Sequence, residues 1–147
     1  MPEIIIREMQ PSDITEIMEI ERKSFTTPWS ELAFLNEMYD PHSIAKVAVL
    51  KNNISGYICV KQISDEGHIR NLAVRPDLRR HGIANAFIKE VLDELRKKGC
   101  KHLYLEVRIS NLGARKFYER IGFKVAGVRS KYYTSPDENA VVMMLVL

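Results

Sequence analysis

The run Leu72-Ala73-Val74-Arg75-Pro76-Asp77-Leu78-Arg79-Arg80-His81-Gly82-Ile83-Ala84 carries the most chemical information in this sequence. A strand-like segment leads through a short loop directly into strong helix propensity. The first turn of a helix offers N–H groups with no intrahelical acceptor, and the helix dipole adds partial positive charge there. Gly82 and Ala84 keep side chains small, so a phosphate can approach the backbone closely. Arg75, Arg79 and Arg80, with His81 beside them, gather charge at the same helix mouth. The pattern predicts one anionic ligand bound at one place; a solvated surface charge run is the alternative these residues leave open. It is neither a Walker loop, lacking Gly-Lys-Ser/Thr, nor a dinucleotide GxGxxG, which argues against nucleotide hydrolysis and hydride transfer.

One further side chain has the chemistry for acid–base work. His102 to Arg108 alternates, with Leu103, Leu105 and Val107 on one side and Tyr104, Glu106 and Arg108 on the other. Glu106 is therefore a carboxylate on the polar face of a strand, suited to be a base or one half of a salt bridge. Tyr118 falls on an apolar helical stripe with Ala114, Phe117 and Ile121, the position of a core residue. The four histidines (His42, His68, His81 and His102) make no metal set, and no metal is expected. Cys59 and Cys100 lack ligand spacing and the partners of a covalent nucleophile. Both read as reduced core thiols of a cytoplasmic protein.

The elements that must position these groups follow from periodicity. Glu3 to Arg7 reads as a first strand, Ser12 as the N-cap of a helix bearing Ile14, Ile17 and Met18, and Ser30 as the N-cap of a second. Ile44–Leu50 and Ile54–Ile63 flank an Asn52-Asn53 turn, and His68–Val74 is a further strand stopped by Pro76. After Gly82, Ile83, Phe87, Val91 and Leu95 form an apolar stripe that Lys97, Lys98 and Gly99 close. Asn111 caps the last helix and Gly122 ends it; strand-like runs at Lys124–Tyr133 and Ala140–Leu147 finish the chain. The order β-α-α-β-β-β-α-β-α-β-β predicts an α/β fold, a single mixed twisted sheet of six to seven strands with helices on both faces.

Composition sets the outer bounds. The 147 residues, 46% hydrophobic and 28% charged, suit one domain spanning 1–147 with a real core. The longest apolar run, Ala140 to Leu147, is far short of the roughly 20 residues of a membrane helix. No basic segment followed by an apolar stretch opens the sequence, so no secretory signal is expected. A net charge of +3 is too small to point to direct nucleic-acid binding.

Arg79 to Ala84 fits R-x-x-G-x-A after a strand and resembles the acetyl-coenzyme A loop of the GNAT N-acetyltransferases. LEVRISN (Leu105 to Asn111), ARKFYERIGF (Ala114 to Phe123), Arg129 to Tyr133 and Thr27-Pro28-Trp29-Ser30 are similar to the ribosomal-protein alanine N-acetyltransferases, so the resemblance covers essentially the whole chain. It implies the GNAT fold and direct transfer of acetyl from acetyl-CoA to a primary amine. The acceptor it implies is the N-terminal alanine of a small-subunit ribosomal protein; other N-termini, lysines, small amines and a non-catalytic acyl-CoA-binding module are the competing readings. It implies that Leu72, Ala73 and Val74 pair with the pantetheine arm, that Arg79, Arg80, His81, Gly82, Ile83, Ala84 and Asn85 hold the pyrophosphate, and that Asn111 lies beside the cofactor. Glu106 takes the place of the general base and Tyr118 that of the acid protonating the departing thiolate. Trp29, Tyr132 and Tyr133 become candidates for the acceptor groove. Ala84, where many relatives carry glycine, and Glu138-Asn139-Ala140, where an acidic residue often follows the glutamate, depart from the pattern.

These roles meet two chemical constraints. A peptide α-amine with a pKa of about 7.7–8.0 is largely protonated at neutral pH, and a glutamate near about 4.3 is a weak base for it. Glu106 must be raised by desolvation or act through water, and the water route is expected. A phenol near pKa 10 giving its proton to a thiolate near 8.5 runs uphill by about 2 kcal/mol, so Tyr118 must be lowered or serve as a hydrogen-bond donor. Gly82→Val is expected to weaken coenzyme A binding, because its side chain would crowd the pyrophosphate; unchanged affinity by calorimetry would show the loop to be misread.

Overall fold

A computed structural model describes residues 3–147, so the first two positions of the expected span lie outside the described residues. The elements are β1 (Ile5–Glu8), α1 (Ile14–Ser24), α2 (Glu31–Tyr39), β2 (Ser43–Leu50), β3 (Asn53–Ile63), β4 (Glu66–Val74), α3 (Ile83–Lys97), β5 (His102–Arg108), α4 (Leu112–Ile121), β6 (Lys124–Tyr133) and β7 (Glu138–Val146). The strands form one seven-stranded sheet in the order β1-β2-β3-β4-β5-β7-β6. Every neighbouring pair is antiparallel except β4 and β5. That parallel pair requires a crossover, which α3 supplies.

Both faces of the sheet are covered because its central strands are apolar on both sides. On β3, Ile58 and Val60 join α3 residues Ile83, Phe87, Val91 and Leu95, together with Leu103, Leu105 and Val107 of β5, in one core. Tyr57 and Cys59 point the other way and pack with Ile17, Met18 and Phe34 of α1 and α2. Residues of opposite parity on a strand face opposite sides, so β3 serves two cores at once. α4 adds Ala114, Phe117, Tyr118 and Ile121 to the α3 side.

Two helix starts follow the side-chain chemistry of the sequence, and one does not. Ser30 Oγ accepts the Ala33 amide at 3.1 Å, and Asn111 Oδ1 accepts the Ala114 amide at 3.2 Å. Ser12 is not a cap: it lies inside a 3-10 turn, Pro11–Asp13, and α1 begins after it. The turn forms because Pro11 presets its backbone and Asp13 accepts the Gln10 amide at 2.8 Å and both guanidinium ends of Arg7. The first strand sits later than Glu3–Arg7, while β4 and β7 each begin two residues earlier than their apolar patterns suggest.

The feature that shapes the functional surface is a parting of the sheet. β4 and β5 pair at Glu66–His102, Gly67–Leu103 and His68–Tyr104 and then separate, although β4 runs on to Val74 and β5 to Arg108. A bulge lies just beyond the last pair. Cys59 of β3 opposes Asn71 while Val60 opposes Ile69, leaving Arg70 as the extra residue of β4. Bulges bend a strand and increase its twist, so this one turns β4 away from β5. Both strands stay anchored on their outer sides, β4 to β3 and β5 to β7.

The outer anchor of β4 depends on Gly56. A Cβ there would meet the Ala73 carbonyl oxygen at 2.7 Å and Phe87 Cε2 at 3.3 Å. Backbone cannot yield as a flexible side chain can, so Gly56→Ala is expected to destabilise the protein by about 1–3 kcal/mol. Thermal unfolding checks this, and a wild-type Tm would show that β3 and β4 tolerate a wider spacing.

Candidate active site

The diverging strands open a cavity of about 930 Å³. β4 contributes His68, Arg70 and Leu72, β5 contributes Glu106 and Arg108, and Asn111 and Tyr118 come from the start and middle of α4. Trp29 enters from the α1–α2 connection, and Tyr132 and Tyr133 from the end of β6. Seven of the residues singled out in the sequence thus share one wall system: Trp29, Leu72, Glu106, Asn111, Tyr118, Tyr132 and Tyr133. Ala73, Val74 and the loop Arg79–Asn85 do not line it. They lie further along β4 and at the N-terminus of α3.

The loop has the backbone geometry of an anion cradle. Arg80 and Gly82 both adopt positive φ, 67° and 81°. The first amide of α3 to find a helical acceptor is that of Ala86, bonded to the Gly82 carbonyl at 3.0 Å, so those of Ile83, Ala84 and Asn85 have no i−4 partner. Arg79, Arg80, His81, Gly82 and Asn85 are exposed, while the Ile83 side chain is buried in the core and offers only its backbone. A Cβ on Gly82 would meet nothing within 4 Å, so the glycine is required by φ rather than by space within the chain. Arg75 does not belong to this cluster. Its guanidinium is spent on Asp77, at 3.1 and 2.7 Å, and faces a separate surface formed with Glu16 and Lys23.

Glu106 is held by three partners. His68 Nε2 lies 2.9 and 2.8 Å from its two oxygens, the Tyr132 hydroxyl donates at 3.1 Å, and Arg129 stands at 4.0 Å. An ionised carboxylate can only accept, so Nε2 carries the proton in this arrangement. Burial pushes the Glu106 carboxyl up, but the His68 hydrogen bond and charge, aided by Tyr132 and Arg129, hold it below its ordinary value. The Glu106 side chain is 7% exposed and that of His68 42%, so the imidazole connects the carboxylate to solvent. The desolvated, raised glutamate is therefore not what the fold builds.

Tyr118 makes tilted edge contacts with Phe117 and Phe123, centroids 5.1 and 5.4 Å away. Burial, with a smaller push from Tyr133, drives its phenol well above the ordinary value. Of the two routes open to it, a lowered phenol is absent and hydrogen-bond donation is left. Asn111 uses its side chain as the cap of α4. Asn139, the departure from the family pattern, accepts the Lys131 amide at 2.8 Å and so pins β6.

Three residues that the sequence reading passed over organise the cavity wall. His68 is one. Glu21, 1% exposed, accepts from the Trp29 amide at 2.9 Å, the Tyr57 hydroxyl at 2.6 Å and Asn71 Nδ2 at 2.9 Å. Arg70 bonds the buried Glu37 at 3.0 Å and lies over the Trp29 ring, 5.6 Å from its centroid. The signal for Glu21 was present: it continues the buried stripe of Ile14, Ile17 and Met18, where an unpaired carboxylate would be costly.

Comparison with known proteins gives a consistent set of likenesses. Residues 14–123 match the family model described as the acetyltransferase (GNAT) family. The chain is 32% identical over 142 residues to the [ribosomal protein bS18]-alanine N-acetyltransferase of Escherichia coli strain K12, covering 95% of each chain. The crystal structure of the ribosomal-protein-S18-alanine N-acetyltransferase from Escherichia coli superimposes with a TM-score of 0.89 at 31% identity, covering 98% of this chain and 94% of that one. Ard1 from Thermoplasma volcanium gives the same TM-score at 27% identity, with 98% and 97% covered.

The depressed Glu106 carboxyl has a consequence for stability. A carboxyl lowered on folding adds stability above its unfolded pKa, near 4.5, and loses it as pH falls through the native value. On acidification from about pH 5 to about pH 3, wild type is expected to lose stability more steeply than Glu106→Gln in urea titrations. Parallel curves would show that the His68 and Tyr132 contacts do not favour the ionised form.

Proposed function

Since the chain belongs to the GNAT acetyltransferase family, we propose that it moves acetyl from acetyl-CoA to the N-terminal α-amine of a protein, with the alanine of ribosomal protein bS18, named for its relatives, as the acceptor. The observation carrying this reading is that Glu106, Tyr118 and the edge of β4 meet in one cavity at the fork of the sheet. Acetyl-CoA supplies an activated thioester. The β4 backbone at Leu72, Ala73 and Val74, freed from β5, is suited to pair with an extended amide-bearing arm. The amides of Ile83, Ala84 and Asn85, with Arg79, Arg80 and His81 around them, suit a diphosphate. We read the whole chain as one catalytic domain working in the cytoplasm, in keeping with its two free, buried cysteines.

In this reading Glu106 receives the proton of the attacking amine. Because it stays ionised at neutral pH and is a weak base, transfer is completed through water, while His68, donating from Nε2, keeps the carboxylate in its ionised form. Tyr118 donates a hydrogen bond to the negative charge that develops on the departing sulfur. Trp29, Tyr132 and Tyr133 flank the acceptor.

A thiol-release assay with acetyl-CoA and an Ala-starting peptide tests the proposal. Release with the peptide supports it. Release only with a lysine or polyamine acceptor would assign another amine, and cofactor binding without turnover would make the chain a non-catalytic binding module. Glu106→Gln is expected to lower turnover by about 10²–10⁴ while leaving cofactor affinity nearly intact; wild-type turnover would remove its role.

A further inference from the structure

Arg108 extends the polar face of β5 two residues beyond Glu106, and its guanidinium reaches three separate segments. Nη1 donates to the Pro136 carbonyl at 2.8 Å and to Glu138 Oε1 at 3.3 Å. Nη2 donates to the Thr134 carbonyl at 2.9 Å and, at 3.5 Å, to Thr26 Oγ1 in the α1–α2 connection. The plane of the group also covers the Tyr133 ring, 4.5 Å from its centroid. Glu138 in turn accepts the Ser110 amide at 2.7 Å, tying the start of β7 to the β5–α4 connection. Regular pairing of β6 with β7 is interrupted between Arg129 and Tyr133, so no continuous ladder leads into the turn at 134–137. The clamp therefore does work that the sheet leaves undone.

Thr26, Arg108 and Tyr133 all line the cavity. We propose that Arg108 is a positioning residue for the acceptor: it fixes the β6–β7 turn and Tyr133 against the α1–α2 connection, holding the acceptor end of the cavity in one shape. This rests on the acetyltransferase reading with a peptide acceptor. A planar fork with several donors can serve two carbonyls, a carboxylate and a ring face together; a single ammonium cannot. Lysine is accordingly a non-conservative replacement here.

The test compares wild type, Arg108→Lys and Arg108→Ala with an Ala-starting peptide at saturating acetyl-CoA. Both variants are expected to raise the peptide KM by about tenfold or more, with kcat within about twofold. Acetyl-CoA affinity by calorimetry should stay at the wild-type value. Hydrogen exchange at residues 25–29 and 133–138 should quicken while α3 keeps its protection. An unchanged KM, a fall in kcat alone, or rescue by lysine would overturn the proposal. If Arg108→Ala does not fold, Arg108→Lys carries the comparison. Exchange does not depend on the acceptor: if wild type acetylates no peptide, the functional reading fails, and unchanged exchange at 25–29 and 133–138 in Arg108→Lys would separately overturn the clamp.

Discussion

Two parallel strands that stop pairing after three residues are the constraint from which the rest of this molecule follows. A continuous sheet would bury the edges of β4 and β5 in each other. Here the extra residue Arg70 turns β4 aside just beyond His68, and each strand stays rigid because its outer neighbour continues to pair with it. The fork thereby exposes strand edge in the middle of a sheet without exposing it at the margin, where aggregation threatens. It also sets Glu106 and Arg108 on one wall and Arg70 and Leu72 on the other.

Charge is organised around the fork with little waste. His68, in the last paired position, reaches across to Glu106, and Tyr132 closes on the same carboxylate from β6. On the opposite wall the buried Glu21 gathers donors from three elements, and so fixes Trp29 without leaving an unpaired charge. Arg70 and Arg108 each combine an ion pair with an aromatic face. The walls are thus preorganised by the protein's own contacts, the condition under which polar groups stabilise developing charge most effectively.

Local pattern made much of this legible. The 3.6-residue stripe of α3, the alternation of β5 and the caps at Ser30 and Asn111 depend on neighbours in sequence, and each corresponds to an element in the fold. The resemblance of the LEVRISN and FYERIGF segments directed attention to Glu106 and Tyr118, which composition alone would have left as a salt bridge and a core residue. What was not legible depends on contacts far apart in the chain. His68 meets Glu106 across a crossover connection, and Arg108 meets Thr26 across 82 positions of the chain. Ser12 failed as a cap because Pro11 and Asp13 claim the turn. Arg75 could have been excluded from the anion cluster by Asp77 two residues on.

Catalysis at the fork requires that the freed edge of β4 and the first amides of α3 together hold one ligand. Amide chemical-shift mapping by NMR on addition of coenzyme A measures that directly. Large perturbations are expected at 72–74 and 79–85 and around Asn111 and Tyr118, with slower exchange at the 72–74 and 80–85 amides once the ligand is bound. Perturbations scattered over the surface, or limited to the loop while β4 is silent, would contradict this.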